Sequence, residues 1–464
     1  NTSGTGNAQN SGLPPEIKCF SLLPGSATDF VEYNGPTTIT SKLGWIARLN
    51  DPSNWIDRVS CAGYLSTHVG QTYSVDPTGT FTDGVWTGVE DTNWFNCSNW
   101  DTLKVPDETT NVLLSSAKAT QEAVISSTAT DATLYGNIAK TNNLTISAEK
   151  VEIVNSASNI LEVHGDLLID TGGALDMNGG GATDGHIRLY GDWTNNAGNI
   201  AFDEGQGTVT FTGTTPQIIS NVTPEGTETF GNLILNNNFN TSVSNNIIAK
   251  GNLTINTGRT LTITADDYAE VTNSVFNNGT FNILNDGSLI QVNDAAAPNT
   301  GSINYERKAT VKLYDYVYWS SPTIDFNMSG IASHSRYYWD AQDPNANGSQ
   351  GDWLPASGNM ENGRGYIFRV PNSYATTSSP DNLTANFTGV PFNGIKNMEV
   401  KRGDLASATN SDWNLIGNPY PSAIDVVSTA GFLDYNTNLE GFVYVWTHGN
   451  SPFDAAYPNP FYQN

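Results

Sequence analysis

Gly231-Asn-Leu-Ile-Leu235 returns as Gly251-Asn-Leu-Thr-Ile255 twenty positions on, and Leu261-Thr-Ile263 returns as Phe281-Asn-Ile283 at the same spacing. Within each segment the apolar residues stand two apart, the period that puts a pair on one face of a short strand. Gly and Asn divide the pairs, and both suit tight corners. A coil of three short strands with such corners takes about twenty residues, and stacked coils bury a column that no single coil could bury alone. The same texture runs from about Asn111 to Ala309, through Leu144-Thr-Ile146, Leu161-Glu-Val163, Leu167-Leu-Ile169, Leu175-Asp-Met177, Ile187-Arg-Leu189, Ile200-Ala-Phe202 and Val209-Thr-Phe211. It predicts a right-handed parallel β-solenoid over residues 111–309. Two antiparallel sandwiches with repetitive hairpins are the competing arrangement.

The composition agrees with an all-β fold. Only 14% of the 464 residues are charged, against about 25% in ordinary globular proteins. Asn, Thr, Ser and Gly carry the polarity instead, and these residues disfavour long helices. At ~150 residues per domain the length suggests about three domains. Residues 1–12 hold no large apolar side chain and read as a flexible arm or linker. From 13 to 110, short apolar runs between turn clusters predict an N-terminal β-sandwich. From 310 to 464, aromatic runs such as Tyr314-Asp-Tyr-Val-Tyr-Trp319 and Tyr337-Tyr-Trp339 predict a C-terminal β-sandwich of jelly-roll type. The sequence stops on Pro458-Asn-Pro-Phe-Tyr462 and two further residues with no closing strand, as an incomplete last domain would.

Twenty basic against 46 acidic residues give a formal net charge of −26. That field repels phosphate backbones, anionic lipid and acidic polysaccharides, so neither a nucleic-acid partner nor membrane insertion is expected. No apolar run is long enough to span a bilayer, and no signal peptide opens the chain at Asn1, so it reads as a mature or excised segment. Two of Cys19, Cys61 and Cys97 joined in a disulfide, with one thiol left over, is the simplest accounting; three pairings are open, and three reduced, buried thiols are the alternative.

The chemistry-bearing residues are sparse. Asp266-Asp267, and His186 with Arg188, have the side chains of β-helical glycosidases without their spacing. Adjacent carboxylates on a strand point to opposite faces, whereas a catalytic pair needs a fixed separation across the scissile bond. The five histidines show no metal-binding spacing. No catalytic residue is therefore expected. Asp343-Pro-Asn345-Ala-Asn347-Gly348 has oxygen ligands at calcium-loop positions 1, 3 and 5, with Asp352 able to complete the set, so calcium is the one cofactor with a candidate loop. An Asx-rich turn explains the same residues without an ion. The Trp and Tyr clusters either fill cores or stack on sugar rings.

Val85-Trp-Thr-Gly88, Thr92-Asn-Trp94, Asn99-Trp100 and Val105-Pro106 resemble a "W-x-G … W-x-x-x-x-N-W … V-P" segment of large secreted and surface proteins of Bacteroidota, especially flavobacteria. Gly207-Thr-Val-Thr-Phe-Thr-Gly213 and Gly287-Ser-Leu-Ile-Gln291 resemble their solenoid stretches. Tyr318-Trp-Ser-Ser-Pro322, Gly363-Arg-Gly-Tyr366 and Trp413-Asn-Leu-Ile-Gly-Asn-Pro-Tyr-Pro-Ser422 resemble their C-terminal module. The resemblance covers roughly residues 85–464. It implies export by the type IX secretion system and a place outside the cell or on the outer-membrane surface, although the sorting domain of such proteins is missing here.

The expected function is that of a non-enzymatic extracellular cell-surface protein. It would be an adhesin or a structural element of a fibre, with the solenoid as a stiff spacer and other copies of itself or surface glycans and proteins as partners. The alternative is a carbohydrate-active enzyme or carbohydrate-binding protein on a β-helix scaffold.

Overall fold

The structure, a computed structural model, describes residues 16–19, 31–34, 83–102, 104–115, 119–129, 131–177, 185–221, 227–240, 246–344, 350–374, 381–403, 413–429, 431–439 and 443. Among these the chain is all-β apart from 3-10 turns and one short helix, Phe432–Tyr435. Its centre is a parallel β-solenoid of about 7 turns. The chain divides into two compact units, residues 1–234 and 235–464.

In the first unit three stacks of strands share one interior. One stack holds Ile138–Thr141, Ile160–Val163, His186–Leu189 and Thr208–Phe211, parallel and in register. A second runs from Asp83–Val85 through Asn111–Ser115, Leu144–Ser147, Leu167–Ile169 and Trp193–Asn195 to Ile219–Asn221. Ala123–Ile125, Lys150–Ile153, Ala174–Asp176 and Phe202–Asp203 form the third. Alternation fills the interior: Leu144, Leu167, Trp193 and Ile219 lie over one another, as do Leu161, Ile187 and Val209, all fully or almost fully buried. Burying one such side chain contributes ~1.5–3 kcal/mol. Ile200 breaks the expected pattern and is 97% exposed, because the 3-10 turn Asn199–Ala201 takes it out of the alternation and only Phe202 points inward.

Parallel pairing starts at Asp83: Asp83–Val85, inside the 13–110 expected for the N-terminal sandwich, pairs with the first strand of the coil stack. Trp86, Trp94 and Trp100 there are fully buried and meet edge to face at 5.0 and 4.8 Å. Asn99 holds the loop between Trp86 and Trp94: its Oδ1 accepts from the Glu90 and Asp91 amides, and its Nδ2 donates to Asp91 Oδ1 at 2.6 Å. Upstream, Glu16–Cys19 pairs antiparallel with Val31–Asn34, and the rest of the predicted N-terminal sandwich lies outside the described residues.

Coil corners are closed by Asn and Asp. Asn143 Oδ1 accepts from the Asp166 amide, Asp166 Oδ1 from the Asp192 amide, and Asp192 Oδ1 from the Ile218 amide, each at 2.8 Å. One side-chain oxygen per coil thus satisfies a backbone donor of the next, at a place where no strand ladder reaches it. At Gly191, whose amide donates to Gly165 O at 2.9 Å, a Cβ would strike that carbonyl; the corners approach too closely for any side chain.

Toward the end of this unit polar side chains enter the interior on successive coils. In the column where earlier coils place Ile146 and Ile169, Asn195 and Asn221 follow. Glu228, 1% exposed, faces them: its Oε2 accepts from Trp193 Nε1 at 2.8 Å and Asn195 Nδ2 at 2.9 Å. Trp193, Phe202, Phe211 and Phe230 close round in edge or tilted contacts. Burial pushes the Glu228 carboxyl above its ordinary pKa, against the pull of these hydrogen bonds.

In the second unit the twenty-residue repeat read from the sequence is the coil itself. Leu261 lies over Phe281 and Ile263 over Ile283, and Leu235 O accepts from the Asn256 amide at 3.0 Å. The corners use the same device: Asn246, Asn252 and Asn285 accept from the amides of Tyr268, Ser274 and Lys308. The stack ends on Ile303–Val311, whose first residues pair in parallel with Phe281–Ile283 while its full length pairs antiparallel with Asp381–Gly389. A boundary at residue 309 therefore falls inside a shared strand. Over this pair lies a four-stranded antiparallel sheet in the order Tyr316–Trp319, Tyr366–Arg369, Ser335–Pro344, Gln350–Pro355. Val311, Val370 and Leu383 pack between them with Val317 and Trp319.

The segment Trp413–Ser422 ties this unit together. Leu415 O accepts from the Gly365 amide at 3.2 Å, the Gly417 amide donates to Gly363 O at 2.8 Å, and Asn418 O accepts from Ser320 Oγ at 2.6 Å. At its far end Pro421 O accepts from the Leu289 amide at 2.7 Å. One stretch thus binds both the antiparallel sheet and the final coil.

A carboxyl with a raised folded pKa binds its proton more tightly when folded, so its contribution is neutral below the unfolded value near 4.3 and turns unfavourable as pH rises through the folded value. Glu228→Gln should therefore unfold at higher denaturant than the parent at pH 8, with the two converging toward pH 4; parallel profiles would contradict a raised pKa. Glu228→Ala should lose ~1–3 kcal/mol by leaving two buried donors without acceptors. A Cβ at Gly417 would run into the Ser320 side chain. Gly417→Ala should cost ~1–3 kcal/mol of overpacking and speed hydrogen exchange at the Leu289 amide, whose acceptor lies on the displaced segment.

Candidate functional site

An open cleft lies where Trp413–Ser422 meets the last coil. It has a volume of about 300 Å³ and is walled by Leu289–Gln291 and Asp294 of the coil, Phe392 and Asn393, and Tyr420–Ile424. Leu289 is buried beneath it. Tyr420 is fixed at three points: its amide donates to Asn418 Oδ1 at 2.9 Å, its hydroxyl to Gly394 O at 2.9 Å, and its ring lies 5.7 Å from Phe392 at 48°. Burial and then the nearby Asp294 carboxylate raise the Tyr420 hydroxyl's pKa. Gln291 Nε2 is held by Asn273 O and Asn299 Oδ1, and Asn393 Nδ2 by Asn293 O. Asp294 is exposed, and its carboxylate accepts no hydrogen bond from the described residues.

A second grouping lies on the antiparallel sheet. The register sets Tyr316 opposite Arg369, Tyr318 and Tyr337 opposite Ile367, and Trp339 opposite Trp353, so five aromatic side chains share one face. All five are half-buried. Trp353 meets Trp339 at 5.2 Å and Tyr318 at 6.4 Å, edge to face, and Trp339 Nε1 donates to Trp413 O at 2.8 Å. Burial pushes the Tyr316 and Tyr318 hydroxyls up. The opposite face, carrying Val317, Trp319 and Phe368, is the one turned into the core.

The glycosidase-like residues are not brought together. Asp266 sits in a left-handed corner at φ 66°, and Asp267 caps the same corner through Thr264 Oγ1. Arg188 lies on a strand's outer side, paired with Glu162 of the neighbouring coil at 2.6 Å, and burial followed by Arg188 lowers the pKa of His186. His164 stacks on Tyr190 at 4.5 Å.

Of the calcium candidates, Asp343 lies near an irregularity in the pairing of Ser335–Pro344, and Asp352 sits opposite Asp340 with Oδ1 accepting from the Trp353 amide. Asn345 and Asn347 lie outside the described residues. No group of three or more His, Cys, Asp or Glu able to hold a metal occurs among the described residues. Cys97 is buried and disulfide-bonded; the Cys19 side chain and Cys61 lie outside the described residues. No helix among the described residues is long and apolar enough to cross a membrane.

Sequence reasoning passed over Glu228, the shared face of the five aromatics and the cleft. For Glu228 a signal existed: Glu228-Thr-Phe230 alternates like its neighbours and places the acid inward beside Phe230. The cleft had none, because its walls are separated by about a hundred residues of sequence.

No curated protein and no solved structure matches the chain. One family model does, over residues 219–464, which hold the last coils, the antiparallel sheet and the Trp413–Ser422 tie. With just over half its length so matched, the chain belongs to the family described as "Domain of unknown function (DUF8693)".

Proposed function

We propose that this chain is a non-enzymatic extracellular cell-surface protein, exported by the type IX secretion system of a Bacteroidota organism, in which the solenoid serves as a stiff spacer in an adhesin or fibre element. The carrying observation is that successive coils are bonded to one another three ways: by parallel ladders, by a continuous buried interior, and by an Asn or Asp oxygen from one coil to the next at a shared corner. Such a stack resists bending and extension, since any opening must break a whole coil contact. Outer positions hold cross-coil pairs such as Arg188 with Glu162, and Lys150 with Asp176 at 2.8 Å. We take the four-stranded sheet over Ile303–Val311 as the core of a jelly-roll-type sandwich. Other copies of the chain, or surface glycans and proteins, are the partners this role calls for.

Carbohydrate binding is a second reading, favoured by the face that carries Tyr318, Trp339 and Trp353, since aromatic rings stack on sugar faces. The two readings separate in one experiment. Antibody to the chain should label intact cells, lose that label in a secretion-deficient strain, and find no sugar release from mixed polysaccharides by the purified chain. If the spacer reading holds, Trp353→Ala should leave cell adhesion within about twofold of the parent, as expected for a surface substitution off the coil stack. Adhesion falling about tenfold or more with display unchanged would favour glycan recognition by that face, and sugar release would overturn the non-enzymatic role.

A further inference from the structure

We infer that the cleft between the last coil and Trp413–Ser422 binds a single neutral sugar residue, such as the terminal unit of a glycan. The inference rests neither on the spacer role nor on the aromatic face of the antiparallel sheet, and the cleft is built from other residues. Four observations carry it. First, the volume of about 300 Å³ stands at the low end of small-ligand sites, about 300–1,000 Å³, enough for one or two rings and not for a peptide strand. Second, the wall combines two rings, Phe392 and Tyr420, with polar side chains on Gln291, Asp294, Asn393 and Ser422. A polyhydroxylated ring asks for that mixture: C–H groups against an aromatic face and hydroxyls directed at fixed acceptors.

Third, the polar walls are held in place before any ligand arrives. Tyr420 is bonded through both its amide and its hydroxyl, Gln291 is locked to Asn299 through both ends of its side-chain amide, and Asn393 is anchored through its amide nitrogen to Asn293 O. Preorganised groups lose little freedom on binding, which is how a small contact area yields measurable affinity. Fourth, the Asp294 carboxylate is exposed at this wall and accepts no hydrogen bond from the described residues. A carboxylate is an acceptor with two oxygens, suited to a pair of neighbouring hydroxyls, and such charge-assisted bonds are the stronger kind. The same carboxylate, within a chain of net charge −26, disfavours sialic and uronic acids.

The test uses the full chain and saturation-transfer NMR with the methyl glycosides of glucose, galactose, mannose, fucose and N-acetylglucosamine, with sialic acid and tetramethylammonium as controls. At least one neutral glycoside should bind and sialic acid should not. Asp294→Ala should weaken binding about tenfold or more, as expected for loss of a charge-assisted hydrogen bond. Ala423→Trp, at an exposed rim position, should block it by filling the cleft, with thermal unfolding unchanged in both variants. Trp353→Ala, on the separate aromatic face, should bind like the parent. Absence of transfer from every neutral glycoside overturns the inference. So does binding that survives both cleft variants, or binding of tetramethylammonium alone, which would make the cleft a cation site.

Discussion

A strand of three or four residues in a parallel stack has too few ladder bonds to fix its own place, and each coil turns three corners where the backbone leaves the ladder altogether. The amides at those corners need acceptors, and the preceding coil supplies them from Asn and Asp side chains: Asn143 to Asp166, Asp166 to Asp192, Asp192 to Ile218 in one unit, and Asn246 to Tyr268 or Asn252 to Ser274 in the other. The rest of the structure depends on this. With corners bonded coil to coil, successive apolar pairs are brought into register and the interior is shut off from solvent. The composition follows from the same need. A chain rich in Asn, Gly and Thr and poor in charge is one whose polar side chains serve its own backbone.

Stacking raises a problem at its end, where the last coil presents open edges and apolar residues with nothing above them. Ile303–Val311 solves part of it by leaving the parallel stack for an antiparallel partner, so that the final sheet continues into a different architecture without a break. Trp413–Ser422 solves another part. Its carbonyl at Pro421 takes the amide of Leu289, and its remaining bonds reach the sheet that covers the shared strand. The motif that stands out most in the sequence is therefore a closure, and the cleft beside it exists because two separately built walls meet there.

The coil stack was legible because its determinants are local. Period-two pairs, Gly and Asn corners and a repeated spacing name the strands, and Leu261-Thr-Ile263 over Phe281-Asn-Ile283 is both the sequence repeat and the physical contact. Where a local feature competed, alternation misled: Ile200 fits the pair pattern but lies in a 3-10 turn and points to solvent. The tryptophans at 86, 94 and 100 read as part of a sandwich because aromatic content does not distinguish a sandwich core from the flank of a coil stack; the parallel pairing of Asp83–Val85 does. The cleft and the aromatic face were out of reach for a different reason. Asp294, Phe392 and Tyr420 are brought together by tertiary closure, and no spacing along the chain encodes that meeting.

Glu228, bonded to Trp193 and Asn195, sets a buried carboxyl into its coil where the neighbouring column turns from Ile169 to Asn195 and Asn221. In the coils before it most inward positions are filled by Leu, Ile and Val, which can stand in for one another, so a chain folding one coil out of step would lose little burial. Slipped in that way, the carboxyl would face Ile169, which occupies the place of Asn195 one coil earlier. A buried polar group without hydrogen-bond partners costs roughly 2–7 kcal/mol, enough to reject the slipped alignment. A lone buried Asn fixes the alignment of coiled coils by the same penalty. The buried carboxyl gives an otherwise interchangeable series an origin from which its members are counted.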